Sequence, residues 1–309
     1  MAKKRKKGRV GVVGLGLMGG AFAKNLSAGG WQVAGFDIDA AQRRKASRGG
    51  IEIASDVAAL AAAVPVIITS LPTPQALHET ARQIARQKLP RRLIVETSTF
   101  AIDDKEKAER LLRDSGHVML DCPISGTGAQ AKTKDIVIYA SGDRASIRRL
   151  KPLFSEFSRA AHDLGTFGNG SRMKYVANLL VAIHNVASAE AMVLGMKAGL
   201  DPEQIFRLVS SGVGNSRVFE LRAPMMARNR YDPATMKIAV WQKDMAVIGT
   251  FARSIGSPTP LFDATVPHYD RALSDGRGSE DTAAVCTVLE RMAGLQRSKT
   301  GRTKRRRAV

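Results

Sequence analysis

The sequence predicts an α/β domain built on a doubly wound parallel sheet, followed by an all-α C-terminal domain. Three observations carry this. A glycine-rich turn near the start separates a β-rich run from a helical one; strand and helix patterns then alternate to about residue 164; beyond that, helical periodicity dominates. With 309 residues, 44% of them hydrophobic, the chain is long enough for two domains with separate cores.

The first strand spans residues 9–14 and runs into Gly14-Leu15-Gly16-Leu17-Met18-Gly19, with a helix over 20–27. In a strand–G-x-G-x-x-G–helix unit the glycines allow a tight turn and close approach of backbone to a pyrophosphate, which sits on the helix N-terminus. This is the start of a Rossmann-like domain. The next strand, 32–36, ends at Asp37, close to the spacing expected for an acid that hydrogen-bonds the adenosine ribose. Asp37 therefore favours NAD, although Arg43, Arg44 and Lys45 leave NADP open, and Asp37 could instead cap the following helix.

Helices over 56–63, 75–87 and 103–113 alternate with strands over 64–70, 93–96 and 118–120. Ligands of such a sheet bind beyond the carboxyl ends of its strands. Three loops leave those ends, LPTP (71–74), TST (97–99) and DCPISGTG (121–128), and Leu71, Pro72 and Thr99 are expected to wall the nicotinamide pocket. A further strand (136–140), a helix (145–157) and the segment 160–164 close the first part. Helices are then expected over 173–197, 202–210, 236–254 and 282–293, with an irregular stretch from 211 to about Arg230. The domain boundary falls near residues 165–170, giving a cofactor domain over 9–166 and a helical domain over 167–294, with an interdomain cleft as the expected substrate site.

The helix over 173–197 poses a question. Met173, Val176, Ala177, Leu180 and Ile183 form an apolar stripe, yet Lys174 and Asn178 sit beside it, one turn apart. Such a lysine is either a snorkelling surface charge or a working one.

Most of the net charge of +20 lies in two acid-free runs, Lys3–Arg9 and Arg297–Arg307. They read as solvated tails over 1–8 and 295–309, with adhesion to nucleic acid the lesser reading. Cys122 and Cys286 give no disulfide framework and suggest reduced thiols, and secretion is not expected, because the basic start leads directly into the glycine-rich strand-turn. No run of about 18 apolar residues suggests a membrane span, so a cytoplasmic location is expected. The five histidines show no metal-ligand spacing, and Ser98 and Ser125 lack nucleophile partners, which argues against a metal site and a hydrolase.

Four stretches, VVGLGLMGGAFAKNL (12–26), DCPISGTG (121–128), GTFGNGSRMKYVAN (165–178) and Lys243-Asp244, resemble in order the motifs of the β-hydroxyacid dehydrogenases. That family includes 3-hydroxyisobutyrate dehydrogenase, tartronate semialdehyde reductase and, more distantly, 6-phosphogluconate dehydrogenase. The resemblance covers residues 9–293. It implies an NAD(P)-dependent oxidoreductase that moves hydride between nicotinamide and a small 3-hydroxyacid or its semialdehyde, and a homodimer or homotetramer packed through the helical domain. It also implies that Lys174 is the acid/base, its pKa lowered by burial and a nearby cation. Asn178 would hold the substrate oxygen or orient the ammonium, Ser125, Gly126 and Thr127 would grip the substrate carboxylate, Lys243 would reach cofactor or substrate, and Asp244 would orient it. Thr127 stands where relatives usually have a second glycine, so the loop is expected to bend differently and its hydroxyl to contact a more oxygenated substrate. Phe22, often methionine in relatives, reads as a core change. An imine reductase shares the architecture but is disfavoured by Lys174; a catalytically silent, nucleic-acid-associated module is disfavoured by intact Gly14, Gly16, Gly19, Lys174 and Asn178.

Overall fold

The computed structural model describes residues 7–297. The elements run β1 (Arg9–Val13), α1 (Leu17–Ala28), β2 (Gln32–Phe36), α2 (Ala40–Arg48), β3 (Glu52–Ile53), α3 (Val57–Ala63), β4 (Val66–Thr69), α4 (Pro74–Ala85), β5 (Leu93–Glu96), α5 (Ile102–Asp114) and β6 (Val118–Asp121). All pairings among these strands are parallel, in the order β3-β2-β1-β4-β5-β6. This is the doubly wound order that reverses direction at β1 and β4. Side chains alternate between two cores, as a period of two requires: Val10, Val12, Val66, Ile68, Leu93 and Val95 face Phe22, Phe154 and Phe157, while Val13, Ile67 and Ile94 face Leu60, Leu77 and Leu112. Phe22 is fully buried.

A second, three-stranded sheet completes this unit: β7 (Ile124–Ser125) pairs antiparallel with β8 (Val137–Ala140), which pairs parallel with β9 (Ala160–Asp163). Helices α6 (Gly128–Lys132) and α7 (Arg144–Phe154) lie between its strands in sequence. The stretch 121–128, expected as one open loop, thus contains a short strand and the start of a helix. The helix expected to reach residue 157 ends at Phe154.

The described residues up to Lys174 form one compact unit and those from Tyr175 a second. The boundary falls inside α8 (Asn169–Lys197), a single continuous helix. After it come α9 (Pro202–Ser210), α10 (Arg217–Arg228), α11 (Ile238–Ser254), α12 (Pro260–Ser274), a 3-10 turn (Thr282–Ala284) and α13 (Val285–Met292). Two of these helices correct the sequence reading. The segment expected to be irregular holds α10, whose Ser216 cap accepts the Phe219 amide at 3.0 Å and whose Phe219, Ala223 and Met226 are buried. α12 was not expected at all. Each has a proline inside it, Pro224 and Pro267, as does α7 at Pro152, a helix that the sequence predicts all the same.

Of the basic runs, residues 1–6 and 298–309 lie outside the described residues. The charges at their inner edges are engaged: Lys7 pairs with Glu156, Arg9 with Glu52 and Arg297 with Glu290.

Candidate active site

The last residues of five strands stand in one row. Register pairs Phe36 with Val13, Val13 with Thr69, Thr69 with Glu96 and Glu96 with Asp121. The loops carrying Asp37, the glycine-rich turn, LPTP, TST and DCPISGTG therefore leave the same edge of the sheet.

The glycines of the turn are there for space. Gly14 has φ +89°, and a Cβ on it would lie 2.1 Å from the Ser70 carbonyl oxygen; a Cβ on Gly19 would lie 1.9 Å from that of Gly14. α1 begins immediately after Gly16, one turn earlier than the sequence suggested, with no side-chain cap and no acid in its first turn. First-turn amides without intrahelical acceptors and a positive dipole end suit a pyrophosphate. Leu15 is buried, Met18 half-buried and Gly16 exposed. Asp37 accepts the Leu15 amide at 2.7 Å and the Asp39 amide at 2.8 Å. The cap of α2 is Asp39, which accepts the Ala41 amide, so capping does not account for Asp37. Its carboxylate has further lone pairs for ribose hydroxyls. Arg43 donates from Nη1 to the carbonyls of Asp37 (2.6 Å) and Ile38 (3.1 Å), bracing the same turn. These residues fit a dinucleotide.

The adjoining loops are tied together. Ser98 accepts the Leu71 amide on its hydroxyl at 2.9 Å, beside half-buried Thr99 and exposed Pro72. In DCPISGTG, Ser125 and Gly126 are half-buried, and Gly126 holds φ +138° against Ile136. Thr127 adopts φ −102°, an ordinary extended conformation, so this position imposes no bend of its own. Its amide and hydroxyl both bond Gln130, forming the capping box of α6. The hydroxyl expected to face a substrate is held in this turn by Gln130.

α8 answers the question its sequence posed, and inverts the expected burial. Ser171, Lys174, Asn178, Asn185 and Ser188 are buried, whereas Met173, Val176 and Leu180 are 38%, 53% and 46% exposed. By length and composition this helix could pass for a membrane span. Its buried polar stripe instead fits a helix packed inside the protein, and part of that stripe is satisfied structurally: Asn185 donates to the Tyr269 hydroxyl and the Thr282 carbonyl, both at 2.9 Å. In the helical unit, Asn178 donates to Asp244 Oδ2 at 2.9 Å, and Lys243 Nζ lies 2.6 Å from Asp244 Oδ1. Asn178 thus joins the Lys243-Asp244 pair, read separately from it in the sequence, in one hydrogen-bonded group. Among the described residues, no cluster of His, Cys, Asp or Glu could hold a metal.

Sequence reasoning missed one group, the buried Glu96, Lys105 and Asp121. The signal was present: Lys105 falls on the same helical stripe as Ala108 and Leu112, the buried face of α5.

This architecture and site define a nicotinamide-dependent oxidoreductase, and the chain belongs to the β-hydroxyacid dehydrogenase family. Residues 9–168 match the NAD-binding domain of 6-phosphogluconate dehydrogenase, and 168–289 match the domain described as the NAD-binding domain of NADP-dependent 3-hydroxyisobutyrate dehydrogenase. L-threonate dehydrogenase of Cupriavidus necator is 30% identical, over 91% of this chain and 95% of that relative. Among solved structures, 3-hydroxyisobutyrate dehydrogenase of Mycobacterium tuberculosis with L-serine is 25% identical with a TM-score of 0.83, covering 91% of this chain and 99% of that one. 3-Hydroxyisobutyrate dehydrogenase of Salmonella typhimurium is 26% identical with a TM-score of 0.82, covering 91% of this chain and 100% of that one. The chain is an NAD(P)-dependent hydroxyacid dehydrogenase.

Proposed function

We propose that the enzyme transfers hydride between NAD and a small 3-hydroxyacid or its semialdehyde, with Lys174 as the acid/base. The observation that carries this reading is the burial of Lys174, only 8% exposed, in the same compact unit as the glycine-rich turn and the DCPISGTG loop. Burying a lysine is costly, and a lysine buried in the unit that carries the cofactor turn and the DCPISGTG loop supports a role in proton transfer.

The amides at the start of α1, with Gly14, Gly16 and Gly19, bind the pyrophosphate; Asp37 takes the ribose and turns the preference to NAD over NADP. Leu15 and Met18 contribute to the pyrophosphate turn, and Leu71, Pro72 and Thr99 wall the nicotinamide side. Bound nicotinamide accepts or supplies the hydride. The Ser125 hydroxyl and the Gly126 backbone hold the substrate carboxylate, and Thr127 keeps their loop in shape through Gln130. Lys174 Nζ takes the proton from the alcohol oxygen during oxidation and returns it to that oxygen during reduction. Asn178 orients the substrate oxygen or the ammonium; Asp244 holds Asn178 and Lys243, and Lys243 contributes positive charge toward cofactor or substrate.

L-Threonate, named for the Cupriavidus relative, and 3-hydroxyisobutyrate, named for the structural relatives, are the first candidates, with tartronate semialdehyde as the alternative. The enzyme acts in the cytoplasm as a homodimer or homotetramer, in which a second copy covers the exposed Met173–Val176–Leu180 stripe. The test is nicotinamide absorbance with NAD or NADP and a panel of L-threonate, 3-hydroxyisobutyrate, glycerate, serine, 3-hydroxypropionate and the matching semialdehydes. Turnover of one of them with NAD preferred supports the reading; no turnover across the panel despite cofactor binding overturns the substrate class. A monomer by light scattering at micromolar concentration would contradict the oligomer.

A further inference from the structure

We propose that Lys105 is a positioning residue for this active site: through Asp121 it fixes the first turn of α8, and through Glu96 it fixes the loops after β4 and β5. The proposal rests on the reading of Lys174 as the acid/base.

Glu96 and Asp121 are register partners at the ends of neighbouring strands, both fully buried. Two adjacent buried carboxylates repel each other unless a cation stands between them. Lys105, 1% exposed, rises from α5 and places Nζ 2.8 Å from Glu96 Oε2 and 2.8 Å from Asp121 Oδ1. Burial alone lowers the pKa of this lysine, but Asp121 and Glu96 outweigh it and hold the ammonium charged.

From this ion triad two arms extend. On one side, Asp121 Oδ2 accepts the Ser171 amide at 2.7 Å and the Ser141 hydroxyl at 3.2 Å, and Oδ1 accepts the Ser171 hydroxyl at 2.8 Å. Ser141 Oγ in turn accepts the Gly170 amide at 2.9 Å. Gly170 lies so close to the strands that a Cβ would stand 2.3 Å from the Tyr139 carbonyl oxygen and 2.7 Å from that of Asp121. The first turn of α8 is therefore fastened to β6 and β8, and Lys174 follows Ser171 by three residues. On the other side, Glu96 Oε1 accepts the Ser98 amide at 2.9 Å, and Ser98 accepts the Leu71 amide at 2.9 Å. One ammonium thus joins TST and LPTP to the helix that carries the acid/base.

The other titratable groups nearby do not supply this charge. The Cys122 thiol is pushed up by burial and by Asp121 and stays neutral. On the side of α5 facing α4, His78 Nε2 bonds the Asp104 carbonyl at 3.1 Å and lies 3.5 Å from the Asp104 carboxylate.

The test is Lys105→Met in the full chain. Without the ammonium, Glu96 and Asp121 repel until one takes a proton. The expected result is a kcat lowered about 10²-fold with substrate KM within twofold, since a small misplacement of catalytic groups has that cost. The deficit relative to wild type should shrink as pH falls from 8 to 5.5, and Glu96→Gln in the same chain should restore part of kcat at pH 8. Ser171→Ala, which keeps the charges, should lower kcat several-fold with KM unchanged. Hydrogen exchange should show Leu71, Ser98 and Ser171 amides losing protection in Lys105→Met while Val10–Val13 keep theirs. An unchanged kcat, a loss equal at every pH and unmoved by Glu96→Gln, or protection lost uniformly would overturn the proposal. If wild-type enzyme turned over nothing in the panel, the functional reading would fail while hydrogen exchange still decided the network. If Lys105→Met did not fold, the Ser171→Ala and Lys105→Met/Glu96→Gln chains would carry the same tests.

Discussion

Strand β4 and helix α8 treat hydrophobicity in opposite ways. In β4, Val66, Ile67 and Ile68 are apolar and buried, so composition and burial agree. In α8, Lys174, Asn178 and Asn185 are buried while Val176 and Leu180 are open to solvent. A strand in the middle of a sheet is covered on both faces by its own chain, and apart from Thr69 at its end the side chains of β4 are apolar. α8 does not follow that rule: polar side chains lie on its buried side and several apolar ones face outward. The mismatch between pattern and burial is what the proposed role of Lys174 and Asn178 would explain.

The contrast can be tested, beginning where the largest loss of stability is expected. Gly170→Ala should destabilise the first unit by roughly 1–3 kcal/mol and lower kcat, because the added methyl meets two carbonyl oxygens that cannot both move. Thermal unfolding together with turnover checks this; a neutral result would mean that α8 is not fastened to the strands. Asn178→Leu should cost about 1–3 kcal/mol and lower turnover, since it leaves the buried Asp244 carboxylate without one of its donors. An unchanged melting curve would show that Asp244 finds other partners.

His117 offers a smaller, pH-dependent test inside the sheet unit. Burial first, and the Arg92 charge second, push its pKa below 6.5, so folding favours the neutral ring, whose Nδ1 accepts the Arg92 amide at 3.2 Å. Its contribution is complete above pH 6.5 and is lost as pH falls through the folded value. His117→Asn, which keeps an acceptor but cannot titrate, should flatten the fall in stability below pH 6.5; denaturant titrations across pH 5–7 would read this, and an identical slope in both proteins would refute it. Leu180→Glu should have the least effect on the fold, within about 0.5 kcal/mol. It should nevertheless shift light scattering toward monomer, and an intact oligomer would remove this stripe from the interface.

Much of this was legible from sequence because the relevant physics is local. The glycine turn, the strand alternation and the end of β2 at Asp37 all follow from short-range backbone geometry. α10 and α12 were missed although Pro224 and Pro267 are no greater obstacle than Pro152 in α7, which the sequence does predict; their burial depends on tertiary packing. The ends of α1 and α7 shifted for a related reason: periodicity marks the buried face of a helix better than its caps. At the site, Lys174, Asn178, Lys243 and Asp244 stood out as individual residues, but the hydrogen bonds joining Asn178, Asp244 and Lys243 depend on folding. Thr127 shows the limit in the other direction. Its hydroxyl looked available, and only the structure reveals Gln130 three residues later as its partner. Lys105 was passed over because a lysine in an amphipathic helix ordinarily faces water, and what distinguishes it is two carboxylates supplied by other strands.

The most direct test of the central claim is hydride transfer by Lys174→Ala with the preferred substrate, followed with and without added methylamine. The account predicts NAD binding close to wild type, a rate lowered about 10²–10⁴-fold, and partial recovery as methylamine takes the place of the missing amine. Normal turnover in Lys174→Ala would contradict it.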